Sequence, residues 1–193
     1  MQKTQNLTLE LYKRPESVFT FRDLSLMFPA LGRSRLKNNL HYAVKTGKIL
    51  SLRRGIYAKE GFNPYEAVNK LYTPSYISLE TVLTKAGMIF QSYRTIYAVS
   101  YLTRKLDIKG IEIYYRKLKD EILHNKSGIQ IEGNYSQAST ERAFLDAVFL
   151  YKNYHFDNLN PLNWQKVEEL KKIYDSRALE RRLKSYYKIS KAQ

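Results

Sequence analysis

The residues of this chain best suited to chemistry lie between positions 33 and 54, and the chemistry they suit is nucleic-acid recognition. Residues 33–46 have helical periodicity, and the side away from their apolar stripe carries no carboxylate. That side presents Ser34, Arg35, Asn38, His41, Tyr42 and Lys45, with Lys37 at its edge. Arginine, lysine, asparagine and histidine side chains can reach base edges and phosphates in a DNA major groove. A basic solvent-exposed face is the alternative, but this mixture of groups favours a groove-reading helix.

Two further arginines, Arg53 and Arg54, stand between the short apolar runs Ile49–Leu52 and Ile56–Ala58. Gly55 follows them, and glycine readily adopts the positive φ that tight turns require. The pattern predicts a β-hairpin with two arginines at its tip. Such arginines lie along a phosphate backbone or enter a minor groove.

We assign these candidate DNA-binding residues to two roles. Base readout is expected from Arg35, Asn38 and His41. Phosphate contacts are expected from Arg33, Lys37, Lys45, Arg53 and Arg54. Additional basic surface is expected from Arg177, Arg181, Arg182 and Lys184, which make the second half of the last predicted helix basic.

Three helices must position these groups. The first ends near Pro15, because proline disfavours a helical conformation in the residue before it. Thr20 is the predicted N-cap of a short second helix over 21–28. The third runs from about 33 to 46, with Gly47 just past its last turn. Helix, turn, helix and basic hairpin together predict a winged helix-turn-helix over residues 1–60.

The rest of the chain predicts a mixed domain over residues 65–193, which makes the fold class α+β. After a linker at 61–64 we expect a brief helix over 65–71 and another from Tyr76, with Ser78 as its N-cap. Strands are expected over 93–103, 111–115 and 129–132, a capped helix over 139–148 and a long helix over 164–187. Ser78, Glu141 and Asp146 are interpreted as caps or local ion pairs rather than as functional groups.

Charge and composition agree with a polyanion partner. The chain has 33 Lys and Arg against 18 Asp and Glu, a net charge of +15. Residues 1–60 hold 12 basic and 4 acidic residues, which makes this third about twice as charge-dense as the remainder. Basic clusters gain binding free energy on DNA by releasing condensed counterions. Because no apolar run reaches the roughly 18–20 residues of a membrane span, and the first six residues are polar, we expect a cytoplasmic protein.

The sequence argues against an enzyme and implies neither a cofactor nor a metal. There is no cysteine, and the three histidines have no metal-ligand spacing. The serious alternative is a metal-dependent nuclease, for which Glu169 and Lys171 have a suggestive local spacing. They lie in a predicted helix, where solvated ion pairs are the ordinary explanation. Asp107 and Glu112 flank a predicted strand without a convincing lysine partner.

Three segments resemble the AbiEi family of antitoxins. Leu40–Tyr57 is similar to the family's L-x-x-x-x-K-x-G-x-(L/I)-x-x-(L/I)-x-x-G-(L/I)-Y ending of the winged helix. Tyr76–Leu83, followed by Gly87, resembles its Y-I-S-(L/F)-x-(S/T)-x-L segment. Ser139–Asp146 resembles its (P/S)-x-(E/K)-(R/K)-A-(L/F)-(L/I)-D segment. The three motifs occur in the family's order, whereas the tail from about Asn153 matches none of its patterns.

The resemblance implies a function. Members of this type IV toxin-antitoxin system, associated with abortive infection and phage defence, repress their own operon. It therefore implies an autorepressor that binds double-stranded DNA at an operator with inverted repeats. It also implies an antitoxin, with the C-terminal domain over 65–193 as the antitoxin half, that opposes a nucleotidyltransferase toxin without a stable complex. A winged-helix transcription factor without a toxin and a protein-interaction module remain alternatives.

Overall fold

Helices and strands are mixed in both halves of the chain, and the fold class is α+β as expected. The structure, a computed structural model, describes residues 7–91 and 94–191. The chain divides into two compact units, Met1–Leu71 and Tyr72–Gln193. The polar segment 1–6 and Tyr93, the first residue of an expected strand, lie outside the described residues.

The first unit is a three-stranded antiparallel sheet with helices packed against it. Its elements in chain order are α1 (Leu7–Tyr12), β1 (Val18–Thr20), α2 (Phe21–Met27), α3 (Gly32–Lys45), β2 (Leu50–Arg53), β3 (Ile56–Ala58) and α4 (Pro64–Leu71). The strand order is β1-β3-β2. Buried leucines from α1, α2 and α3 form the core of this unit, with Phe19 from β1 and Ile49 before β2.

The helix boundaries of this unit agree with the local signals in the sequence. The Thr20 hydroxyl accepts from the Asp23 backbone N–H at 3.1 Å, and the Asp23 carboxylate accepts from the Thr20 N–H at 2.9 Å. This reciprocal capping box satisfies two backbone donors at the start of α2, so the predicted cap is confirmed. Gly47 has a φ of 69° just after α3, as a left-handed C-terminal residue requires.

The boundary between the two compact units lies later in the chain than the predicted division, because residues 61–71 group with the first unit. The side chain of Asn63 accepts from the Tyr65 N–H at the start of α4. The buried carboxylate of Glu66 accepts from the Ser17 N–H at 2.8 Å and from the Val18 N–H at 3.1 Å. Helix α4 thereby holds the start of β1. This long-range contact leaves no local signal in the sequence.

The second unit contains a six-stranded mixed sheet with helices. Its elements are β4 (Ser75–Ile77), α5 (Glu80–Lys85), β5 (Ile96–Ser100), β6 (Arg104–Ile108), β7 (Ile111–Lys117), α6 (Asp120–His124), β8 (Ile129–Glu132), β9 (Tyr135–Ala138), α7 (Thr140–Leu150), α8 (Trp164–Leu170) and α9 (Arg177–Ser190). The strand order is β6-β7-β5-β4-β9-β8, in which β5 pairs with β7 and β4 with β9 in parallel. The predicted strands at 111–115 and 129–132 and the helix capped by Ser139 are confirmed.

Two expectations for this unit were wrong. Tyr76 and Ile77 belong to β4, and the following helix starts only at Glu80, so Ser78 is not its N-cap. The expected long helix over 164–187 is broken between α8 and α9, where Asp175 adopts a left-handed conformation with a φ of 39°. Ser176 then caps α9 by accepting from the Leu179 N–H. Both differences bring side chains into one buried network, which is described below.

Candidate nucleic-acid interface

Helix α3 presents a polar stripe on the side opposite its buried residues. Leu36, Leu40 and Ala43 are buried against the core of the first unit. Residues spaced by three or four positions lie on one face of a helix. The opposite face is therefore centred on Ser34, Asn38, His41 and Lys45, and all four are exposed.

The remaining predicted contacts of α3 flank this stripe. Arg35 and Tyr42 lie on one side, and Lys37 lies on the other; all three are exposed. The Tyr42 ring is 63% exposed, and the Lys48 ammonium lies 6.0 Å from its centre. Arg33 is exposed near the start of the helix with its guanidinium 5.8 Å from the centre of the Phe21 ring. The structure thus brings the predicted residues of α3 other than Arg33 onto one accessible surface, while Arg33 lies on the side of Leu36 that faces α2.

The carboxylates of the first unit do not neutralise this surface. Glu10 pairs with Lys13 at 2.9 Å, and Asp23 pairs with Lys70 at 2.8 Å. Burial raises the pKa of Asp23, but its hydrogen bonds with Lys70 and Thr20 outweigh burial, so its pKa is lowered. Within residues 7–71, no ion pair reaches a basic residue of α3.

The predicted β-hairpin is present, and its arginines are exposed. Strands β2 and β3 pair antiparallel, with a register shift between Ser51 and Arg53. Gly55 has a φ of 78° in the turn, and Arg53 and Arg54 are both exposed residues. The Gly55 carbonyl accepts from the Phe21 N–H at 2.7 Å, which fixes the hairpin tip beside the start of α2.

A second basic stripe runs along α9 in the second unit. Arg177, Arg181, Lys184 and Lys188 are exposed and follow one another at intervals of four, three and four residues. This spacing places all four on one helix face. The predicted member Arg182 differs, because its guanidinium donates to the Val148 carbonyl at 2.7 Å. Arg182 therefore serves the end of α7, and Lys188 takes its place in the exposed stripe.

The polar residues singled out in the second unit meet in a buried network. Asp146 accepts from the hydroxyls of Ser78 at 2.7 Å, Tyr174 at 2.6 Å and Tyr76 at 3.1 Å. The Arg142 guanidinium lies 3.6 Å from the Asp146 carboxylate, and both side chains are fully buried. Burial raises the pKa of Asp146, and Arg142 and the hydroxyl donors only partly offset it. Asp146 thus forms an intramolecular ion pair of the kind that the sequence predicted, with Arg142 as its partner.

Sequence reasoning missed Tyr76, Arg142 and Tyr174 as members of this network. Arg142 also donates to the carbonyls of Ile122 at 2.7 Å and Ser127 at 3.0 Å, which join distant parts of the unit. The signal was present in part, since Arg142 and Asp146 are four residues apart in a helix. Glu141 accepts a weaker bond of 3.4 Å from the Asn163 N–H.

Among the residues considered for a nuclease, Asp107 and Glu112 lie opposite each other in the pairing of β6 with β7, and Lys105 lies 3.7 Å from the Glu112 carboxylate, a lysine partner that the sequence did not suggest. Asp107 accepts from the Gly110 N–H, Glu112 contacts Thr95 and Lys105, and Lys171 pairs with Glu168 rather than Glu169. Within the parts of the chain that the structure describes, no three His, Asp or Glu side chains could hold a metal ion. No helix in residues 7–91 or 94–191 is long and apolar enough to cross a bilayer.

The chain matches no protein-family model, and no curated protein is significantly similar to it.

Proposed function

We propose that this protein is a DNA-binding transcriptional regulator whose first unit is a winged helix-turn-helix. The observation that carries the proposal is the exposed stripe of α3, which offers groove-reading side chains without a carboxylate partner. The order of elements from α1 to β3 supports it, because two helices joined by a turn precede a two-stranded hairpin.

In the proposed complex, α3 enters the major groove of duplex DNA. Arg35, Asn38 and His41 donate to or accept from base edges and supply the sequence preference. Arg33, Lys37 and Lys45 neutralise phosphates beside the groove, while Arg53 and Arg54 of the hairpin follow the backbone or enter the minor groove. The stripe of α9 adds basic surface from the second unit.

We further propose that the protein is an autorepressor and the antitoxin of a type IV toxin-antitoxin system. This proposal rests on the resemblance to AbiEi antitoxins. The buried network supports it, because Tyr76 and Ser78 come from one resembling motif and Arg142 and Asp146 from another. Hydrogen bonds between the two motifs give a physical reason why both motifs are found in the same chain. The partner would be a nucleotidyltransferase toxin that the antitoxin opposes without a stable complex.

Fluorescence anisotropy on the DNA upstream of the gene tests the DNA-binding proposal. Upstream and scrambled duplexes are titrated with full-length protein from low to physiological salt. We expect a preference for the upstream duplex that persists at physiological salt, because base contacts add free energy that salt does not remove. Equal and salt-sensitive binding to both duplexes would mean that α3 is only a basic surface and does not read the base sequence.

Co-expression tests the antitoxin proposal separately. A nucleotidyltransferase encoded beside this gene should arrest growth alone, and co-expression of this protein should restore growth. Restoration should persist when Asn38 is replaced by Ala, because the antitoxin role is assigned to the second unit. Sequence-specific repression without any rescue would leave a transcription factor that has no toxin.

A further inference from the structure

A groove of about 560 Å³ lies between α2 and α3 in the first unit. Phe21 and Ser25 of α2 line the groove, together with Phe28, which directly follows this helix. Leu36 of α3 contributes to its floor, and both Leu36 and Phe28 are almost fully buried. The lining is therefore mostly apolar, and its volume lies within the range of small-molecule sites.

Two arginines give this groove a charge preference. Arg22 and Arg33 both line it, and both are exposed to solvent. The Arg33 guanidinium lies over the Phe21 ring at 5.8 Å from its centre, so a cation is held above an apolar wall. No acidic residue lines the groove, and the neighbouring Asp23 is occupied by Thr20 and Lys70. An occupant that combines an apolar body with a negative charge satisfies both features.

The size of the groove favours a small molecule over a protein. Eight residues line it, whereas a stable protein interface engages about 20–30 residues on each side. A ring system of drug-like size would fill such a volume, and its anionic group would reach the guanidinium groups at the rim.

We propose that this groove binds a small organic anion with a flat apolar body, such as an aromatic carboxylate. The ligand rests against Phe28 and Leu36, and its carboxylate accepts from Arg22 and Arg33. The proposed function assigns Arg33 to a DNA phosphate, so bound ligand and DNA compete for this side chain. Only this competition rests on the proposed function. The anion would thus act as an inducer that releases DNA.

Isothermal titration calorimetry of the full-length protein with 2-naphthoate tests the site without DNA. We expect saturable binding of one molecule per chain. Ser25→Leu fills the groove and Arg33→Gln removes one carboxylate donor, so each should weaken binding about tenfold. Leu26→Ala and Arg14→Gln are the matched controls, because both side chains are exposed and neither lines the groove. Both controls should bind like the parent.

The neutral analogue 2-naphthylmethanol provides the charge control and should bind at least tenfold more weakly than 2-naphthoate. Three results would each overturn the proposal: no binding of naphthoate, equally tight binding of the alcohol, or full affinity in both groove variants.

Anisotropy with upstream DNA then tests the competition, since saturating naphthoate should raise the Kd of the parent for DNA but not that of Arg33→Gln. Unchanged DNA affinity would refute the competition. If the protein does not bind DNA at all, the proposed function is refuted. The calorimetry still shows whether the groove binds the anion.

Discussion

Among individual residues, the side chains of α3 and of the hairpin have different expected roles on DNA. Asn38 lies at the centre of the exposed stripe and can form two hydrogen bonds with an adenine. Arg54 lies at a solvent-exposed hairpin tip, where a phosphate contact carries no direct sequence information. The two positions therefore distinguish specificity from affinity.

Replacement of Asn38 by Ala should reduce sequence preference. We expect a loss of about 1–3 kcal/mol on the upstream duplex, because a bidentate contact with one base is removed. Binding to scrambled DNA should change little. Anisotropy on duplexes with single base changes measures this, with Asn39→Ala as the exposed neighbour on the same helix. An equal loss on every duplex would contradict base readout by Asn38.

Replacement of Arg54 by Ala should instead weaken binding to all sequences alike. The variant makes one phosphate contact fewer, so its binding releases one counterion fewer from the DNA. The slope of log K for DNA binding against log salt concentration should therefore fall in magnitude by about one unit. Titrations at several salt concentrations give this slope for upstream and scrambled DNA. Arg14→Ala, an exposed arginine outside the proposed interface, is the control and should leave the slope unchanged.

In the buried network, Tyr174→Phe removes a hydroxyl that donates to Asp146 at 2.6 Å. The free energy of unfolding should fall by about 1–3 kcal/mol, because a buried carboxylate loses a hydrogen bond without gaining water. Urea unfolding measures the loss. Tyr187→Phe is the control, since that ring is 44% exposed, and an equal effect of both changes would contradict the network's role.

Among the elements, α4 and α9 have roles that their own sequences do not reveal. Helix α4 stabilises the first sheet through Glu66, although it follows the predicted linker. Helix α9 buries Leu179 and Leu183 on one side and exposes its basic stripe on the other. Each element combines a packing face with a polar function.

The α9 stripe predicts a measurable share of DNA binding. The double change Arg181→Gln with Lys184→Gln should lower the salt slope by about two units if both side chains meet phosphates. Lys126→Gln with Lys166→Gln removes the same charge from exposed positions elsewhere in the second unit. Equal slopes for the two double variants would show that α9 contributes only through net charge.

At the scale of the whole molecule, the chain consists of two units that meet at positions 71 and 72 in sequence. The first unit contains the complete α3 surface and hairpin, and its core is formed by its own residues. Its polar anchor is also internal, because Glu66 binds the backbone of Ser17 and Val18. This organisation predicts that the first unit folds independently.

A fragment of residues 1–71 should therefore unfold cooperatively and bind DNA, whereas a fragment of residues 1–60 should not fold stably. The shorter fragment lacks Glu66 and leaves the backbone N–H groups of Ser17 and Val18 without their carboxylate. Thermal unfolding followed by circular dichroism compares the two. Glu66→Gln in the longer fragment should have an intermediate stability. Equal stability of both fragments would place the boundary back near residue 60.

Local signals in the sequence determined much of the first unit and of its candidate site. The capping pair Thr20 and Asp23, the apolar stripe of α3 and Gly55 act over a few residues, so periodicity and turn chemistry predict them. The exposure of the predicted α3 residues follows from the same periodicity, because burying one helix face leaves the other in solvent. The uneven charge of the chain is likewise a property of the sequence.

Only the tertiary structure decided what depends on partners distant in the chain. Ser78 has the local signals of a helix N-cap, yet it lies just after β4, where its N–H donates to the Tyr97 carbonyl and its hydroxyl donates to the Asp146 carboxylate. The apparent long C-terminal helix breaks at Asp175, and Tyr174 contributes its hydroxyl to the same carboxylate. Glu66 moves the unit boundary by a contact 49 residues away in sequence. Burial makes such hydrogen bonds costly to leave unmade, so they override weak local preferences.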